Sequence, residues 1–444
     1  MFGTSGIRGP VGEDVTAALA LDVGRAVGVD TDRVVVGRDP RESGELLADA
    51  IAAGLRESGT DVVDLGLAAT PTVARSVAWH DADAGVAITA SHNPAPDNGI
   101  KLWQPSGQAF DEADRERIAQ RVRDGVADLE AWDGIGSRTA ADARERHAET
   151  IASAVAPGDT APADALDDPP AVAVDLGNGA GGVTVDALQR LGCAVETLNA
   201  QPDGTFPGRP SEPTAENCTS LSALVAETDA RLGIAHDGDG DRLRAATADG
   251  QFVSGDDLLA VFAREAAAPG ESVAVPVDTS LAVADYLAEV DVDVTYTPVG
   301  DVYVAERASE PGVAFGGEPS GAWIWPSETL CPDGPLAACQ LVALDAERPL
   351  AERIADVPDY PIQRDSIEVA DKRAVMERLT DRITDEYDDV QTLDGVRVDL
   401  GDAWFLVRAS GTQPLVRITA EARDSERAAD AFDIAREAVV TARA

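Results

Sequence analysis

RVVVGRDPRESGELLADAIAAGLRESGTDVVDL, residues 33–65, decides the fold. Val34, Val35 and Val36 form an unbroken β-branched run, as a strand buried on both faces requires. The spacing of Leu46, Leu47, Ile51 and Leu55 then predicts a helix over 43–58 with one apolar face. A second strand reads at 61–65, a helix at 71–80 and a third strand at 85–89. Strand and helix in steady alternation mean α/β with a largely parallel sheet.

The pattern recurs twice. A strand at 171–175 runs into a Gly-rich loop, a helix around 183–191, a strand at 194–198, a helix at 220–231 and a strand reaching Ile234 and Ala235. A third unit starts at 272–275, with strands near 292–297 and 312–315. From about 360 the order changes to strand, helix (371–387), strands near 396–400, 403–408 and 414–420, and a terminal helix (424–442), which is α+β. The Pro/Asp/Ala-rich stretch 157–170 reads as a linker. At 444 residues the chain is too long for one core. The expected fold class is α/β: three related α/β/α domains with mixed sheets at 1–150, 151–250 and 251–355, plus a small α+β domain at 356–444.

Charge narrows the function. Eighty acidic residues face 36 basic ones, for a net charge of -44, and only Lys101 and Lys372 among the bases are lysine. The acids are spread along the whole chain, so they are not an interaction tail. Such self-repulsion is tolerable where salt screens it within a few ångströms, and a halophile's salt-rich cytoplasm is the expectation. Nucleic acid and anionic membrane, which need a basic footprint, are not expected partners. The longest apolar runs are too short to span a membrane, and MFGTSGIRGP at the start has no signal-peptide pattern, so the expected location is cytoplasmic. Four cysteines without CxxC spacing read as reduced thiols. Four unclustered histidines argue against a histidine-rich metal site.

Several loops can carry chemistry. TASHNPAPDNGIK, residues 89–101, puts Ser91 at the carboxyl end of a strand, where open α/β sheets bind ligands. A plain Pro/Asn turn is the competing reading, and the absence of G-x-S-x-G excludes a hydrolase elbow. His92 is adjacent, but neighbouring side chains diverge in extended backbone, so position alone does not make it the base for Ser91. Lys101 is more telling. A chain that uses arginine almost everywhere keeps lysine here, and only lysine can release a proton when desolvated, which suits a general base.

HDGDGDR, residues 236–242, spaces Asp237, Asp239 and Asp241 at i, i+2 and i+4. Hard oxygen ligands of this kind select Mg²⁺ or Ca²⁺. The sixth position is Arg242 and the twelfth Ala248, so this is no EF-hand; a solvated acidic loop is the alternative. His236 reads as structural. GGEPSG at 316–321 suits a hydroxyl-rich ligand. Arg408-Ala409-Ser410-Gly411-Thr412-Gln413-Pro414, with Arg417 beyond it, gathers donors for a phosphate. Gly177–Gly182 satisfies the dinucleotide pattern G-x-G-x-x-G with Glu196 downstream. It lies mid-chain without redox-active company, so it reads as a tight strand-to-helix turn.

In series, FGTSGIRG (2–9), TASHNP with NGIK (89–101), DGDGDR (237–242), GEPSG (317–321) and RASGTQPLVR (408–417) resemble the α-D-phosphohexomutase family over essentially the whole chain. The resemblance implies four domains around a central cleft, each lending one loop. It implies that Ser91 carries a phosphoryl group and joins Asp237, Asp239 and Asp241 in holding one Mg²⁺ per chain. Lys101 would be general base or acid, Arg8 would stand with it near the transfer site, and His92 is counted in the same catalytic set. Arg242, Gly317, Glu318 and Ser320 would contact substrate, and Arg408, Ser410, Gly411, Thr412 and Arg417 would anchor the phosphate not being transferred. The implied reaction interconverts hexose 6-phosphate and hexose 1-phosphate through a 1,6-bisphosphate, which also primes the enzyme. The expected partner is therefore a phosphorylated hexose, and the chain a monomer or homodimer. Val299-Gly300-Asp301-Val302-Tyr303-Val304 and Ser410-Gly411-Thr412 resemble the phosphoglucosamine mutase-like branch, which points to glucosamine 6-phosphate. Ala322 departs from the histidine that relatives often carry there. A phosphomannomutase/phosphoglucomutase of broad specificity is the alternative, with a metal-dependent sugar phosphatase behind it.

Overall fold

The chain enters its first sheet at β1 (Ile7–Pro10) and passes through α1 (Ala17–Gly28) into the valine strand β2 (Arg33–Arg38). Then come α2 (Gly44–Glu57), β3 (Asp61–Leu67), α3 (Thr70–Trp79), β4 (Ala84–Ile88), β5 (Asp97–Trp103), α4 (Glu112–Asp124), β6 (Arg138–Ala140) and α5 (Arg144–Ala154). The computed structural model describes residues 3, 6–156, 158, 160–410 and 415–443. Strand order in this sheet is β1-β5-β4-β2-β3-β6. β4, β2, β3 and β6 are parallel, while β5 runs antiparallel to both β4 and β1.

That pairing bears out the expected mixed sheet, in which β5 alone runs against its neighbours. It corrects one expectation, since 89–101 is not one loop. Residues 97–103 fold back on β4 as a strand, with Lys101 opposite Ala87. The buried polar residues Asn98 and Lys101 mask the strand's periodicity. Helix α2 corrects a detail. Leu47, Ile51 and Leu55 are fully buried, whereas Leu46 is 57% exposed. The core stripe is the four-residue repeat, and Leu46 sits more than a quarter of a turn beyond it.

The second sheet repeats the first. β7 (Ala171–Asp175), α6 (Val183–Arg190), β8 (Ala194–Leu198), α7 (Thr219–Glu227), β9 (Leu232–His236) and β10 (Leu243–Thr247) give the order β10-β9-β7-β8. This is β5-β4-β2-β3 again, with β10 antiparallel like β5. After α8 (Gly255–Ala266) come β11 (Ser272–Pro276), α9 (Leu281–Ala288), β12 (Asp293–Thr297), α10 (Asp301–Ala308) and β13 (Val313–Gly317). Here β11 again lies between two parallel neighbours. β14 (Trp323–Ile324), α11 (Gly334–Glu347) and α12 (Leu350–Ile354) follow.

The tail is the expected α+β arrangement. β15 (Ile362–Glu368), α13 (Lys372–Glu386), β16 (Val390–Gln391), β17 (Val396–Asp399), β18 (Ala403–Ala409), β19 (Leu415–Ala422) and α14 (Ser425–Arg443) build an antiparallel sheet, β15-β19-β18-β17-β16. Residues 1–258 and 320–354 pack as one unit; 259–319 and 355–444 pack as another. Among the described residues no helix is long and apolar enough to cross a membrane.

A buried polar knot ties the first unit together. His147 on α5 faces Thr72 Oγ1 at 2.8 Å through Nδ1 and Asp333 Oδ2 at 3.1 Å through Nε2. Asp333, the N-cap of α11, also accepts from Arg75 Nε at 2.7 Å. Burial holds the His147 pKa below its ordinary value, even against the Asp333 charge. The unfolded imidazole takes a proton near pH 6.5 while the folded one stays neutral. This contribution is therefore present above that pH and lost as pH falls through it. His147→Gln should cost about 1–3 kcal/mol of unfolding free energy at pH 7.5. Denaturant unfolding in high salt should show that deficit narrowing toward pH 5.5; a deficit that widens contradicts the assignment.

Candidate functional site

The site in the first unit is built at the carboxyl ends of β4 and β9. β4 ends at Ile88, and three residues later Ser91 adopts φ +51, a left-handed conformation that a serine takes at a cost of about 1–3 kcal/mol. Its N–H donates to Thr89 Oγ1 at 2.8 Å, and its carbonyl accepts from Arg41 Nη2 at 2.8 Å and Ser211 Oγ at 2.9 Å. So held, Ser91 Oγ donates to Asp237 Oδ2 at 2.6 Å. Gly99 allows the strands to close around it. A Cβ there would lie 2.3 Å from the Ile7 carbonyl oxygen and 2.6 Å from that of Thr89.

β9 delivers the aspartates. One oxygen from each of Asp237, Asp239 and Asp241 lies within 4.8 Å of the others, all three residues being buried. Lys101 Nζ donates to Asp239 Oδ2 at 2.8 Å and to Asp241 Oδ2 at 2.6 Å. Thr70, the first residue of α3, adds a hydroxyl donor to Asp239 Oδ2 at 2.6 Å. Burial and the two neighbouring carboxylates raise the Asp237 pKa well above the usual range. For Asp239 burial works in the same direction, but the Lys101 charge and its hydrogen bonds win and hold the pKa low. Asp239 Oδ1 is buried and has no hydrogen-bond partner among the described residues. Three converging carboxylates with such an orphaned oxygen fit a hard divalent cation.

Cations surround the serine. Burial, then the charges of Arg242, Arg8 and Lys101, pushes the His92 pKa down to about 3, so its imidazole is neutral at physiological pH. Its Nδ1 stands 3.4 Å from Ser91 Oγ. Arg8 sits on β1 opposite Gly99, and its buried Nε has no partner among the described residues. Three cations thus gather at His92 and offset the aspartate charge there, in a protein of net charge -44. His236 is structural as expected: it bonds Thr184 Oγ1 at 2.8 Å and the Arg242 carbonyl at 2.7 Å.

The Gly177–Gly182 run has a packing explanation. Ala180 N–H donates to the Gly238 carbonyl at 2.9 Å, and a Cβ on Gly179 would stand 2.7 Å from that oxygen. These glycines let the strand-to-helix turn lie against the aspartate loop.

In the second unit, Arg408 on β18 and Arg417 on β19 are directly opposite in register. Like charges so placed repel unless an anion lies between them. Arg408 pairs with Asp394 at 3.1 Å and Asp278 at 3.5 Å. Ser410 is buried, and its carbonyl accepts from Lys372 Nζ at 2.5 Å, so the chain's second lysine also serves a candidate loop. Gly411 and Thr412 lie outside the described residues. Glu318 is buried after Gly317 at the end of β13, and its Oε1 accepts from Gly300 N–H at 2.8 Å. That bond links the 299–304 segment to the 316–321 loop. Ser320 is half-buried, and Ala322 is buried and bridged through its backbone to Arg242. Thr70, Ser211, Arg41 and Lys372 carry no motif of their own, and Thr89, although it opens TASHNP, drew no role from the sequence; sequence reasoning missed all five.

Comparison with known proteins gives matches along the chain. Family models described as phosphoglucomutase/phosphomannomutase match in four parts: alpha/beta/alpha domain I at 1–127, domain II at 148–250, domain III at 254–360 and the C-terminal domain at 366–438. A protein of Methanopyrus kandleri named probable phosphoglucosamine mutase is 46% identical over 443 residues, covering 97% of this chain and 96% of the relative. One of the same name from Methanosarcina barkeri is 43% identical, covering 98% of each. Among solved structures, a phosphoglucomutase/phosphomannomutase family protein of Burkholderia thailandensis matches with a TM-score of 0.88 and 30% identity, covering 99% of this chain and 97% of that one.

Proposed function

The chain belongs to the phosphoglucomutase/phosphomannomutase family, and from that premise we propose that it interconverts glucosamine 6-phosphate and glucosamine 1-phosphate. The observation that carries the chemistry is the Ser91 hydroxyl, held 2.6 Å from a buried aspartate in a triplet neutralised by Lys101. Relatives of the same name along the full length, and the Val299–Val304 segment, support the sugar. The domain limits 1–150, 151–250, 251–355 and 356–444 belong to the same reading, and the four family-model spans support them.

In this reading Ser91 carries a phosphoryl group and gives it to the free hydroxyl of the hexose monophosphate. The P–O bond to Ser91 breaks and one to the sugar forms. The hydroxyl proton leaves to a base and a proton returns to the departing Ser91 Oγ; Lys101 is the candidate base or acid for this exchange. The bisphosphate then returns its other phosphoryl group to Ser91. Asp237, Asp239 and Asp241 would hold Mg²⁺, which when bound neutralises phosphate charge. Arg8 and Arg242 complement the equatorial oxygens, and neutral His92 offers a hydrogen bond rather than a strong base. Glu318 and Ser320, with Gly317, read sugar hydroxyls. Arg408, Ser410, Gly411, Thr412 and Arg417 take the phosphate that stays.

Coupled kinetics on glucosamine 6-phosphate, glucose 1-phosphate and mannose 1-phosphate test this, in high salt with Mg²⁺ and a bisphosphate primer. The kcat/KM for the glucosamine substrate should exceed the others by at least about tenfold. Equal ratios favour the broad-specificity alternative. Phosphate release from labelled bisphosphate without isomerisation would mean a phosphatase.

A further inference from the structure

Ser91 is useful only while its left-handed backbone aims Oγ at Asp237. One fully buried side chain, Arg41, holds that backbone. Its Nε donates to Asp39 Oδ2 at 2.9 Å. Nη1 donates to the carbonyls of Pro94 at 2.7 Å and Asp97 at 2.8 Å; Nη2 donates to those of Ser91 at 2.8 Å and Asn93 at 2.7 Å. All five guanidinium N–H groups are thereby used. Asp39 is fixed in turn by the Arg41 N–H at 3.0 Å and by Thr89 Oγ1 at 2.7 Å, the same hydroxyl that accepts the Ser91 N–H. The guanidinium lies over Phe206, 4.9 Å from the ring centre. The turn from Thr89 to Asp97 is organised around this one group.

We propose that Arg41, with Asp39 as its counter-charge, is the positioning residue for the phosphoryl-carrying serine. It sets the Ser91 backbone, and so the direction of Oγ, without touching sugar or phosphate. The inference rests on the mutase reading in one respect, that Ser91 is the carrier. The four carbonyls all belong to residues 91–97, so the bonds serve that turn and no other part of the fold. They also explain why the residue is arginine. Four carbonyls and a carboxylate surround a planar fork with five donors, whereas lysine offers three from a single point.

The test compares Arg41→Lys, Arg41→Met and Thr89→Val with wild type. Arg41→Lys should lower kcat about 100-fold, as small misplacements of reacting groups do, and leave KM for the hexose phosphate within about threefold. Transfer of phosphate from bisphosphate to Ser91, followed by intact mass, should slow in parallel. Amide exchange over 89–97 should speed up while 232–247 stays protected. Thr89→Val removes no charge and remains informative if the Arg41 variants do not fold. It removes two buried hydrogen bonds, to Asp39 and from the Ser91 N–H, and should lose roughly tenfold or more in kcat. Unchanged kcat in a folded Arg41→Lys or Thr89→Val protein overturns the proposal. So does protection lost evenly across the chain, or a loss appearing only in KM. A wild type without mutase turnover would sink the mutase reading instead, and exchange over 89–97 would still decide whether Arg41 holds the turn.

Discussion

Ser91→Ala should lower mutase turnover by roughly four orders of magnitude or more, the scale on which covalent carriers fail when removed. The expectation comes from the hydroxyls nearby. Thr89 Oγ1 donates to Asp39, Thr70 Oγ1 to Asp239 and Ser211 Oγ to the Ser91 carbonyl. Each is engaged, and none is held against Asp237 as Ser91 Oγ is. No neighbour can take over the phosphoryl group without breaking a bond that shapes the site. The variant should fold, since the alanine methyl fits where the hydroxymethyl stood. It should bind hexose monophosphate if Arg408 and Arg417 anchor the phosphate as proposed, since both are untouched, and it should take up no phosphate from bisphosphate by intact mass. Wild-type turnover, measured in high salt with Mg²⁺ and primer, would remove Ser91 from the mechanism.

What the sequence discloses about this site depends on the distance in sequence between partners. The Asp237, Asp239, Asp241 triplet is legible because its ligands are two residues apart, and backbone geometry alone converges them. The β2–α2–β3 alternation is legible for the same local reason. The bond between Ser91 and Asp237 spans 146 residues, and that between Thr70 and Asp239 spans 169. Nothing in the residue types around Thr70 marks it as a support, so only the folded chain reveals it. Arg41 was hidden in another way. Inside GRDPRESG it looks like one more basic residue before a helix, while its five acceptors lie 50 and more residues ahead or are a neighbouring carboxylate. The Gly177–Gly182 run shows the converse, a strong local pattern whose cause is packing against the aspartate loop. Burial is equally hidden from the sequence: Ser91, at the end of a strand in a polar stretch, is 1% exposed.

Lys101→Arg separates charge from proton transfer and should lower kcat by about 10²–10⁴-fold, the usual worth of a positioned acid or base. Lys101 is almost completely buried, with one nitrogen shared between Asp239 and Asp241 at 2.8 and 2.6 Å. Arginine would keep the positive charge those carboxylates need, so the variant should fold and retain much of its stability. It would not release a proton at any working pH. Lys101→Met gives the comparison. It removes charge and proton together, leaves the carboxylates uncompensated, and should cost about 3–5 kcal/mol of stability as well as activity. If charge alone mattered, arginine would restore turnover where methionine could not. If the proton matters, both variants fail in kcat and only methionine fails in stability. In a chain with two lysines among 36 basic residues, that second outcome is the physical reason for keeping one of them beside Ser91. A normal rate in Lys101→Arg would leave the lysine at position 101 without that explanation.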